Sequence, residues 1–254
     1  MRLHVAFHPA LLPTGAVTAV PVDRPQVFVV IDVLRASTSL VTLVERGAGP
    51  IFIAGGIEEA RAAAPTVPGV ILAGEAGGLA PEGFDFGNSP VELSTADVRG
   101  LPVIFVTTNG TAAIRAVHRL GPVFIGAMRN GEALVAQVWE AIRRSPTDVT
   151  IVCAGREGGF GLDDAHCAGH LASRLLERDR FALTDGTEAA LSLYRAEPGT
   201  LALFTRAAAG QNVIRLGLGP DVAYCAEHDC AAAVPMLGRE LRLLEETAAP
   251  GRRQ

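Results

Sequence analysis

The chain has 254 residues, of which 49% are hydrophobic and only 5% aromatic, so its core must be built mainly from valine, leucine, isoleucine and alanine. A formal net charge of −5 argues against a general nucleic-acid binder, and no apolar run reaches the ~18 residues of a membrane span. All 22 basic residues are arginine, which excludes every phosphate-binding or Schiff-base mechanism that needs a lysine.

Short apolar runs typical of strands alternate with stretches of helical periodicity. In chain order, strands are predicted at residues 3–7, 27–33, 51–54, 70–73, 103–107, 123–126, 149–154, 201–205 and 222–225. Helices are predicted at residues 37–45, 57–64, 111–119, 132–143, 164–177, 188–194 and 231–244. The alternation predicts an α/β fold, in which a largely parallel sheet is flanked by helices on both faces. Residues 1–254 are taken as a single domain, with a subdomain break suggested only near residues 198–199.

The predicted strand 27–33 ends at a cluster of polar residues, and ligands of parallel α/β sheets bind just beyond such strand ends. This strand delivers Asp32, and Arg35 follows three residues later. Asp32 suits Mg²⁺, and Arg35 can grip a phosphate or sulfonate with two parallel hydrogen bonds. A helix-capping aspartate beside a surface arginine is the plainer alternative. Haloacid-dehalogenase-type phosphatases are excluded, because they need an aspartate where Leu34 stands and also a lysine.

Residues 74–90, GEAGGLAPEGFDFGNSP, are the most informative stretch, with too many turn formers for a regular element. Its glycines permit positive φ and a close approach of the backbone to a ligand. Glu75, Glu82 and Asp85 lie among them, and Asn88-Ser89 comes near the end. Carboxylates and a carboxamide on such a loop suit a hard cation or a polar ligand, although an ordinary surface loop is the commoner meaning of this composition.

The predicted strand 103–107 runs into the sequence TTNGT, residues 107–111, where a helix should begin. Backbone N–H groups at a helix N-terminus are free to bind an anion, and Gly110 allows its close approach. Thr108 and Thr111 add hydroxyl donors. The segment predicts an anion cradle, with a plain strand–turn–helix junction as the alternative.

The predicted strand 149–154 is followed by a glycine-rich turn bearing Arg156 and by a helix that opens with Asp163-Asp164. One of these two carboxylates can cap the helix while the other points into a pocket, so both are candidate metal ligands and both can also be simple caps. Cys153 is a candidate nucleophile, although a core role is the simpler explanation.

The cysteines favour a reducing compartment. Cys153, Cys167, Cys225 and Cys230 form no CxxC pair and are expected to be free thiols, and a soft-metal site at residues 225–230 lacks the usual ligand spacing. The N-terminal sequence MRLHVAFHPALLP makes a poor secretion signal. We therefore expect a soluble, cytoplasmic protein.

Read together, the motifs resemble those of one known family. The sequence contains, in order, DVLRAST at 32–38, GE at 74–75, GFDFGNSP at 83–90, TTNGT at 107–111, CAG at 153–155, LDDAHCAG at 162–169 and GLGPDVAYCAEHD at 217–229. This order resembles that of the ComB-type 2-phosphosulfolactate phosphatases over nearly the whole chain. GFDFGNSP and TTNGT are the specific motifs; GE or CAG alone would not be.

The resemblance implies a Mg²⁺-dependent phosphomonoesterase that hydrolyses 2-phospho-3-sulfolactate to 3-sulfolactate and phosphate, in the route to coenzyme M. For such a reaction we expect Mg²⁺ ligands among Asp32, Glu75, Asp163 and Asp164, and catalytic roles for Asp32, Arg35, Glu75 and Asp164. The expected substrate-binding residues are Arg35, Asn88, Ser89, Thr108, Asn109, Gly110, Thr111 and Arg156. Arg35 and the amides of the cradle would hold the phosphoryl group, and Arg156 the sulfonate or carboxylate. Water is the preferred nucleophile, with Asp32 and Cys153 as open alternatives.

Two other functions stay open from sequence. The protein could be a phosphatase for another small anionic phospho-hydroxy acid, or a non-catalytic anion-binding protein. The clustered carboxylates argue against the second, because a pure anion binder gains nothing from them without a cation. The expected partner is a small anionic phosphoester, with no nucleic acid and no membrane, and the resemblance implies a homodimer.

Overall fold

The computed structural model describes residues 1–12 and 24–244. The strands within these ranges are β1 (Arg2–Ala6), β2 (Gln26–Ile31), β3 (Ile51–Ala54), β4 (Ile71–Gly74), β5 (Val103–Val106), β6 (Val123–Gly126), β7 (Asp148–Cys153), β8 (Ala182–Leu183) and β9 (Leu241–Leu243). The α-helices are α1 (Ala36–Glu45), α2 (Ile57–Ala63), α3 (Pro90–Thr95), α4 (Gly110–Val117), α5 (Gly131–Ile142), α6 (Leu162–Arg178), α7 (Asp185–Ala196), α8 (Thr200–Arg206), α9 (Ala208–Arg215) and α10 (Gly219–Cys225). None of the helices in the described ranges is long and apolar enough to cross a membrane.

The strands form two parallel sheets rather than one. The first sheet has the order β6-β2-β7-β1-β8 and the second the order β4-β5-β3-β9, and every strand pair in both is parallel. Ile31 of β2 is in register with Cys153 of β7 and Gly126 of β6, so these strands end side by side. The predicted α/β class with parallel strands is confirmed, and the division into two sheets is what the alternation of elements did not reveal.

Helices fill three layers around the two sheets. Helices α5 and α6 cover one face of the first sheet, and α2 covers the outer face of the second. Between the sheets lie α1 and α4, where Leu40 and Ile114 pack with Val30 of the first sheet and Phe105 of the second. Because both faces of the central strands are buried, their sequences are continuous apolar runs rather than alternating ones.

The predicted strand at residues 201–205 is wrong, because this segment is the helix α8. Short apolar runs do not distinguish a strand from a buried helix. Within α8, Thr200, Leu203 and Phe204 are buried whereas Leu201 is 51% exposed. That spacing of i, i+3 and i+4 is helical. The exposed Leu201 made the apolar run look continuous, as in a buried strand.

The last two predicted elements are also wrong. The predicted strand at 222–225 belongs to α10, which Pro220 opens in its first turn, a position where proline favours a helix. The predicted helix at 231–244 is instead an irregular segment, whose end forms β9 beside β3. Pro235 lies in the middle of that segment, and a proline in a helix interior removes a hydrogen bond and clashes with the preceding turn.

Candidate active site

A cavity of about 220 Å³ opens where loops from both sheets meet. The loops after β2, β4, β5 and β7 contribute to its wall, and α9 closes one side. The predicted site residues that line it are Asp32, Arg35, Glu75, Asn88, Thr108, Asn109 and Arg156. Ser89, Gly110, Thr111, Asp163 and Asp164 are not part of its lining. Predicted site residues up to 124 positions apart in sequence thus share one site, as expected for the carboxyl ends of parallel strands.

Asp32 lies directly after β2, with its carboxylate towards the N-terminus of α4. A Cβ placed on Gly110 would lie 3.0 Å from Oδ2 of Asp32, so a larger residue at that position would crowd the carboxylate. The backbone N–H groups of Ala36 and Gly110 hydrogen-bond the Asp32 carboxylate. Ser37 fixes the turn, because its Oγ accepts from the Asp32 N–H at 2.7 Å. Two helix N-termini therefore hold this side chain.

Burial and neighbouring carboxylates raise the pKa of Asp32 to about 7. Burial is the largest cause, and the negative charges of Asp163 and Glu75 add to it, while the hydrogen bonds from Ala36 and Gly110 lower the pKa. An aspartate with a pKa near neutrality is unusual. Carboxylates whose pKa is raised in this way are concentrated at functional sites.

Glu75 joins the loop after β4 to the loop after β5. Its Oε1 accepts from the backbone N–H and the hydroxyl of Thr108, at 2.8 and 2.7 Å, and its Oε2 accepts from the Gly78 N–H at 2.7 Å. Gly78 has a φ of +90°, a conformation that side-chain-bearing residues rarely adopt. The glycines of this loop therefore shape it around the Glu75 carboxylate.

The anion cradle predicted at the start of α4 is largely used by groups of the protein itself. The N–H of Thr108 binds Glu75, the N–H of Gly110 binds Asp32, and the N–H of Thr111 donates to Oγ1 of Thr107 at 3.1 Å. Positive charge at this helix N-terminus thus acts on the two cavity carboxylates. Asn109 and Thr108 are the residues of the segment that face the cavity.

Arg35 is almost fully buried and is held by the carboxylate of Asp221, a residue that the sequence analysis did not single out as a candidate. Its Nη1 donates to Oδ2 of Asp221 at 2.8 Å, with the two side chains 3% and 2% exposed, and its Nη2 donates to the Gly78 carbonyl at 2.5 Å. Asp221 also accepts from Oγ of Ser89 at 2.6 Å. Each bond takes one N–H of a planar fork, so the remaining donors of Arg35 can serve a ligand.

Asn88 and Ser89 have different positions although they are neighbours. Ser89 is the N-cap of α3, where its Oγ accepts from the Glu92 N–H at 3.2 Å, and its other bond is to Asp221. Asn88 lines the cavity, and its Oδ1 is buried with no hydrogen-bond partner among the described residues. A buried carboxamide oxygen is costly without a partner, so Asn88 is an open position for a ligand of the cavity.

Asp163 and Asp164 lie in the first turn of α6, behind the cavity wall. The helix begins at Leu162 after Gly161, so Asp163 is not an N-cap. Asp164 accepts from the N–H of Val33 at 2.8 Å and from the N–H of Gly155 at 3.0 Å, which ties together the loops that follow β2 and β7. This bridge fixes the spacing of two walls of the cavity.

Burial dominates the electrostatics of this pair as well. It raises the pKa of Asp163 to about 6, against the opposing effect of helix N–H groups and Arg156. It raises the pKa of Asp164 well above the usual range, together with the charges of Asp163 and Asp32. Asp32, Asp163 and Asp164 therefore share one region of excess negative charge.

The loops after β4 and β7 repeat one pattern that the sequence analysis did not detect. Residues 73–79 read AGEAGGL and residues 154–160 read AGREGGF, and an isolated antiparallel bridge closes a turn in each. Glu75 and Arg156 occupy equivalent positions, and both line the cavity. A seven-residue similarity separated by 81 positions is too short to stand out as a repeat.

Arg156 is loosely tied compared with Arg35. Its Nε and Nη2 donate to Oε1 of Glu157 at 3.1 and 2.9 Å, and Glu157 is 79% exposed. Its Nη1 donates to the Ala208 carbonyl at 3.3 Å. Exposed ion pairs contribute little, so an anionic ligand can replace Glu157 as the partner of Arg156.

The donor set of the cavity fits a hard divalent cation. Within residues 1–12 and 24–244, no three His, Cys, Asp or Glu side chains converge closely enough to hold a metal ion. Asp32 and Glu75 nevertheless line the cavity together with the unpartnered Oδ1 of Asn88, which gives two carboxylates and one carboxamide oxygen. Oxygen donors of this kind, completed by water, are typical of Mg²⁺ sites.

Cys153 is not placed to act as a nucleophile. It is fully buried at the end of β7 and does not line the cavity. Burial raises the pKa of its thiol well above the usual range, helped by the charge of Asp164. A protonated, inaccessible thiol is a core residue.

Comparison with known proteins gives one family. A family model described as 2-phosphosulpholactate phosphatase matches residues 17–240. A protein of Deinococcus radiodurans named "Probable 2-phosphosulfolactate phosphatase" is 42% identical over 216 residues, which cover 84% of this chain and 88% of the relative. Proteins of the same name are 39% identical over 214 residues in Thermus thermophilus and 38% identical over 221 residues in Synechococcus sp. (strain CC9605). These matches cover 84% and 85% of this chain, and 88% of each relative.

Proposed function

The chain belongs to the 2-phosphosulfolactate phosphatase family, and from this premise we propose that it hydrolyses 2-phospho-3-sulfolactate to 3-sulfolactate and phosphate. The relatives' name describes a phosphoric monoester hydrolase, and three requirements follow for such a reaction. The phosphoryl oxygens must be held, the charge that develops on them must be offset, and a water molecule must be aligned with the scissile bond. The cavity has residues suited to each.

Arg35 holds the phosphoryl group in this proposal. Its buried pairing with Asp221 and its bond to the Gly78 carbonyl fix the plane of the guanidinium, and Arg35 lines the cavity with N–H groups to spare. A pre-oriented fork loses little conformational freedom when it binds a phosphoryl group with two bonds. Asn109 lines the same cavity and can donate to a further oxygen.

Asp32, Glu75 and Asn88 are the residues that would hold Mg²⁺. When bound there, the cation would offset the negative charge of the phosphoryl oxygens and of the cavity carboxylates. Asp164 acts at a distance by bridging the two loops that carry Asp32 and Arg156, and Asp163 adds negative charge behind Asp32. The helix N-terminus at Gly110 keeps Asp32 in place.

Water is the nucleophile in this proposal. Asp32 lines the cavity, where its carboxylate can accept a proton from the attacking water and pass it to the oxygen of the leaving group. A covalent phosphoenzyme on Asp32 is the competing route. Single turnover in ¹⁸O-labelled water, with mass analysis of the protein, separates the two, because only the covalent route gives a phosphorylated Asp32 peptide.

One observation carries the proposal: carboxylates, a buried unpartnered carboxamide oxygen and a pre-oriented arginine meet in one cavity. A binding protein for anions has no use for Asp32 and Glu75, which repel its ligand. A Mg²⁺-dependent phosphatase uses both signs of charge, because the carboxylates would hold the cation and the cation would offset the charge of the phosphoryl oxygens.

Phosphate release from a panel of substrates tests the proposal. We expect kcat/KM for 2-phospho-3-sulfolactate to exceed that for phospholactate, 2-phosphoglycerate and phosphoglycolate by at least about tenfold, and to fall to background when Mg²⁺ is chelated. A higher kcat/KM with another member of the panel would establish a different phospho-hydroxy acid as the substrate. Tight phosphate binding without turnover would establish an anion-binding protein.

We also propose a cytoplasmic location and a homodimer. All four cysteines are free thiols, as expected in a reducing compartment. The dimer follows from the family resemblance, and light scattering coupled to size-exclusion chromatography tests it. A measured mass equal to that of one chain would show that the protein is not a homodimer.

A further inference from the structure

Asn212 lies on the wall of the cavity that α9 forms, and the reaction described above gives it no role. Its Nδ2 is close to the phosphoryl-binding arginine. A Cβ placed on Gly78 would lie 3.5 Å from Nδ2 of Asn212 and 4.0 Å from Nη2 of Arg35. The amide and the guanidinium therefore lie on the same side of the cavity, next to the Gly78 backbone.

The orientation of the Asn212 amide is fixed by a neighbour on the same helix. Nη1 of Arg215 donates to Oδ1 of Asn212 at 3.2 Å. Since a guanidinium can only donate, this bond identifies the oxygen and leaves Nδ2 as the other end. Nδ2 has no acceptor among the described residues, so it is a free donor beside the cavity.

The same helix brings a second anion-binding residue to the cavity. Ala208, the first residue of α9, accepts from Nη1 of Arg156 through its carbonyl at 3.3 Å. Asn212 comes one helical turn later. Arg156 and Arg35 both line the cavity, so the α9 side offers three donors: one arginine tied to the start of the helix, the Asn212 amide, and a second arginine.

The substrate class of the proposed function has acidic groups that match these donors. In a 2-phospho-3-sulfo acid, the carboxylate is attached to the carbon that bears the phosphoester, and the sulfonate is one methylene further away. With the phosphoryl group on Arg35, the carboxylate is the group near the adjacent donor, and the sulfonate has the longer reach towards Arg156. If only Arg35 and Arg156 lined this wall of the cavity, one of the three acidic groups of the substrate would have no donor.

We propose that Asn212 is a specificity-determining residue, whose Nδ2–H donates to the carboxylate of the substrate. This inference rests on the proposed function, because it assumes a substrate with a carboxylate next to the phosphoester. It assigns the sulfonate to Arg156. A polar donor in a binding site rejects an analogue that lacks its acceptor, since the donor is then left unpaired.

The test compares two substrates in Asn212→Leu, which keeps the shape of the side chain and removes both amide groups. One substrate is 2-phospho-3-sulfolactate, and the other is 1-sulfopropan-2-yl phosphate, which has a methyl group in place of the carboxylate. We expect kcat/KM for the first to fall about tenfold to a hundredfold, mainly through KM, because a hydrogen bond to a charged group is lost. For the second, we expect a change of less than about twofold.

Gln211→Leu is the matched control. Gln211 is the neighbouring amide on α9, but it is exposed and donates to the Thr205 carbonyl instead of facing the cavity. Its substitution should leave kcat/KM for both substrates unchanged. Asn212→Ala, which adds no apolar group, serves as a second variant with the same expected selectivity change, and circular dichroism checks that each variant is folded.

Two results would overturn the assignment alone: an equal loss with both substrates, or no loss with either. Wild-type protein that hydrolyses neither compound would overturn the proposed function, and this assignment with it. The failure of the inference and the failure of the function are therefore separate outcomes of one experiment.

Discussion

At the scale of single residues, the cavity contains charges that oppose the stability of the fold. Asp32 is buried and lies near the negative charges of Asp163 and Glu75, and all three effects raise its pKa. Backbone N–H groups of Ala36 and Gly110 offset part of this effect without removing it. Such a site costs stability in the absence of a cation, and this cost is typical of residues retained for chemistry.

Asp32→Asn should separate chemistry from stability. We expect kcat/KM to fall by at least about 10³, because the proton-accepting and cation-binding carboxylate is lost. In metal-free protein, the same variant should be more stable than wild type by about 4 kcal/mol at pH 8, since the raised pKa of Asp32 means that its charge opposes folding there.

The sign of the stability effect follows from the pKa. The folded-state pKa of Asp32, about 7, lies above the usual value of 3.8, so the penalty is absent below about pH 4 and complete above about pH 7. The stability difference between wild type and Asp32→Asn, measured by urea unfolding in a chelator, should therefore shrink as the pH falls from 8 to 4. Equal stability at every pH, or full activity, would contradict the role given to Asp32.

Arg35→Lys should lose most of the activity, although it keeps the positive charge. We expect a loss of at least about a hundredfold in kcat/KM, because an ammonium group cannot bind Asp221, the Gly78 carbonyl and a phosphoryl group with one fixed plane. Steady-state kinetics with Arg206→Lys as a control tests this, since Arg206 pairs with Glu197 in an exposed ion pair. A kcat/KM of Arg35→Lys within about twofold of wild type would show that Arg35 does not bind the phosphoryl group with two hydrogen bonds.

At the scale of elements, the main contribution of α10 is the position of Asp221. It brings Asp221 to Arg35 at the start of α1 and to Ser89 at the start of α3. A single buried carboxylate thus fixes two helix N-termini against each other. Removing one partner of a buried ion pair leaves an uncompensated charge, which is strongly destabilising.

Asp221→Asn tests this connection. We expect a loss of about 3 kcal/mol in the free energy of unfolding, because Arg35 keeps its charge without a buried partner. We also expect kcat to fall at a temperature at which the variant is fully folded, since Arg35 is no longer held in one plane. Glu197→Gln, which breaks the exposed pair with Arg206, is the control and should cost less than about 1 kcal/mol.

If Asp221→Asn lowers stability but leaves kcat intact at that temperature, Asp221 has only a structural role. Thermal unfolding and steady-state kinetics on the same preparations distinguish the two outcomes. The comparison matters because no clear role could be assigned to Asp221 from the sequence: a strand was predicted directly after it, at residues 222–225, whereas the structure places Asp221 in the first turn of α10 and pairs it with Arg35.

The elements that could be predicted are those whose local signal agrees with their environment. The buried strands β3 and β6 were predicted with their observed bounds, because a short apolar run between turn residues fits a strand buried on both faces. The helices α8 and α10 were predicted as strands because their apolar runs are equally short. Strand β8 has two residues and β9 three, too few for any periodicity.

The site could be predicted as a set of strand ends, but not as a set of contacts. The motifs placed Asp32, Arg35, Glu75, Asn88 and Arg156 in one region, and the structure brings them to one cavity. What the sequence could not supply is which donors are already used inside the protein. The N–H groups at the start of α4 look free in a sequence, whereas the structure pairs them with Asp32, Glu75 and Thr107.

At the scale of the whole molecule, a buried histidine cluster lies outside the cavity. His166 and His170 come from α6 and pack against Tyr194 of α7, with ring centroids 5.1 and 5.4 Å away. Thr200 of α8 hydrogen-bonds Nε2 of His166 at 2.9 Å. Burial is the largest cause that lowers the pKa of both histidines to about 4, so they are neutral in the folded protein.

The cluster predicts how stability depends on pH. The pKa of both histidines is lower in the folded protein than the usual 6.5, so stability is fully present above about pH 6.5 and is lost as the pH falls through about 4. His166→Gln should reduce this acid sensitivity when urea unfolding is compared at pH 7.5 and 5. His118→Gln is the control, because its ring bonds the Arg115 carbonyl outside the cluster.

Asp32 and Asp163 act in the opposite direction between about pH 4 and pH 7, since their pKa values are raised to about 7 and 6. The wild-type profile is therefore a sum of opposing effects, and only the difference between variants isolates the histidines. If His166→Gln and wild type lose the same stability between pH 7.5 and 5, the histidine is not the cause of the acid sensitivity.

The central claim is that one cavity between the two sheets holds both the cation and the phosphoryl group. A crystal structure with Mg²⁺ and the products 3-sulfolactate and phosphate tests it most directly. We expect Mg²⁺ on Asp32 and Oδ1 of Asn88, with Glu75 beside it, and phosphate on the free N–H groups of Arg35. Phosphate or Mg²⁺ bound elsewhere, with this cavity filled only by water, would contradict the account.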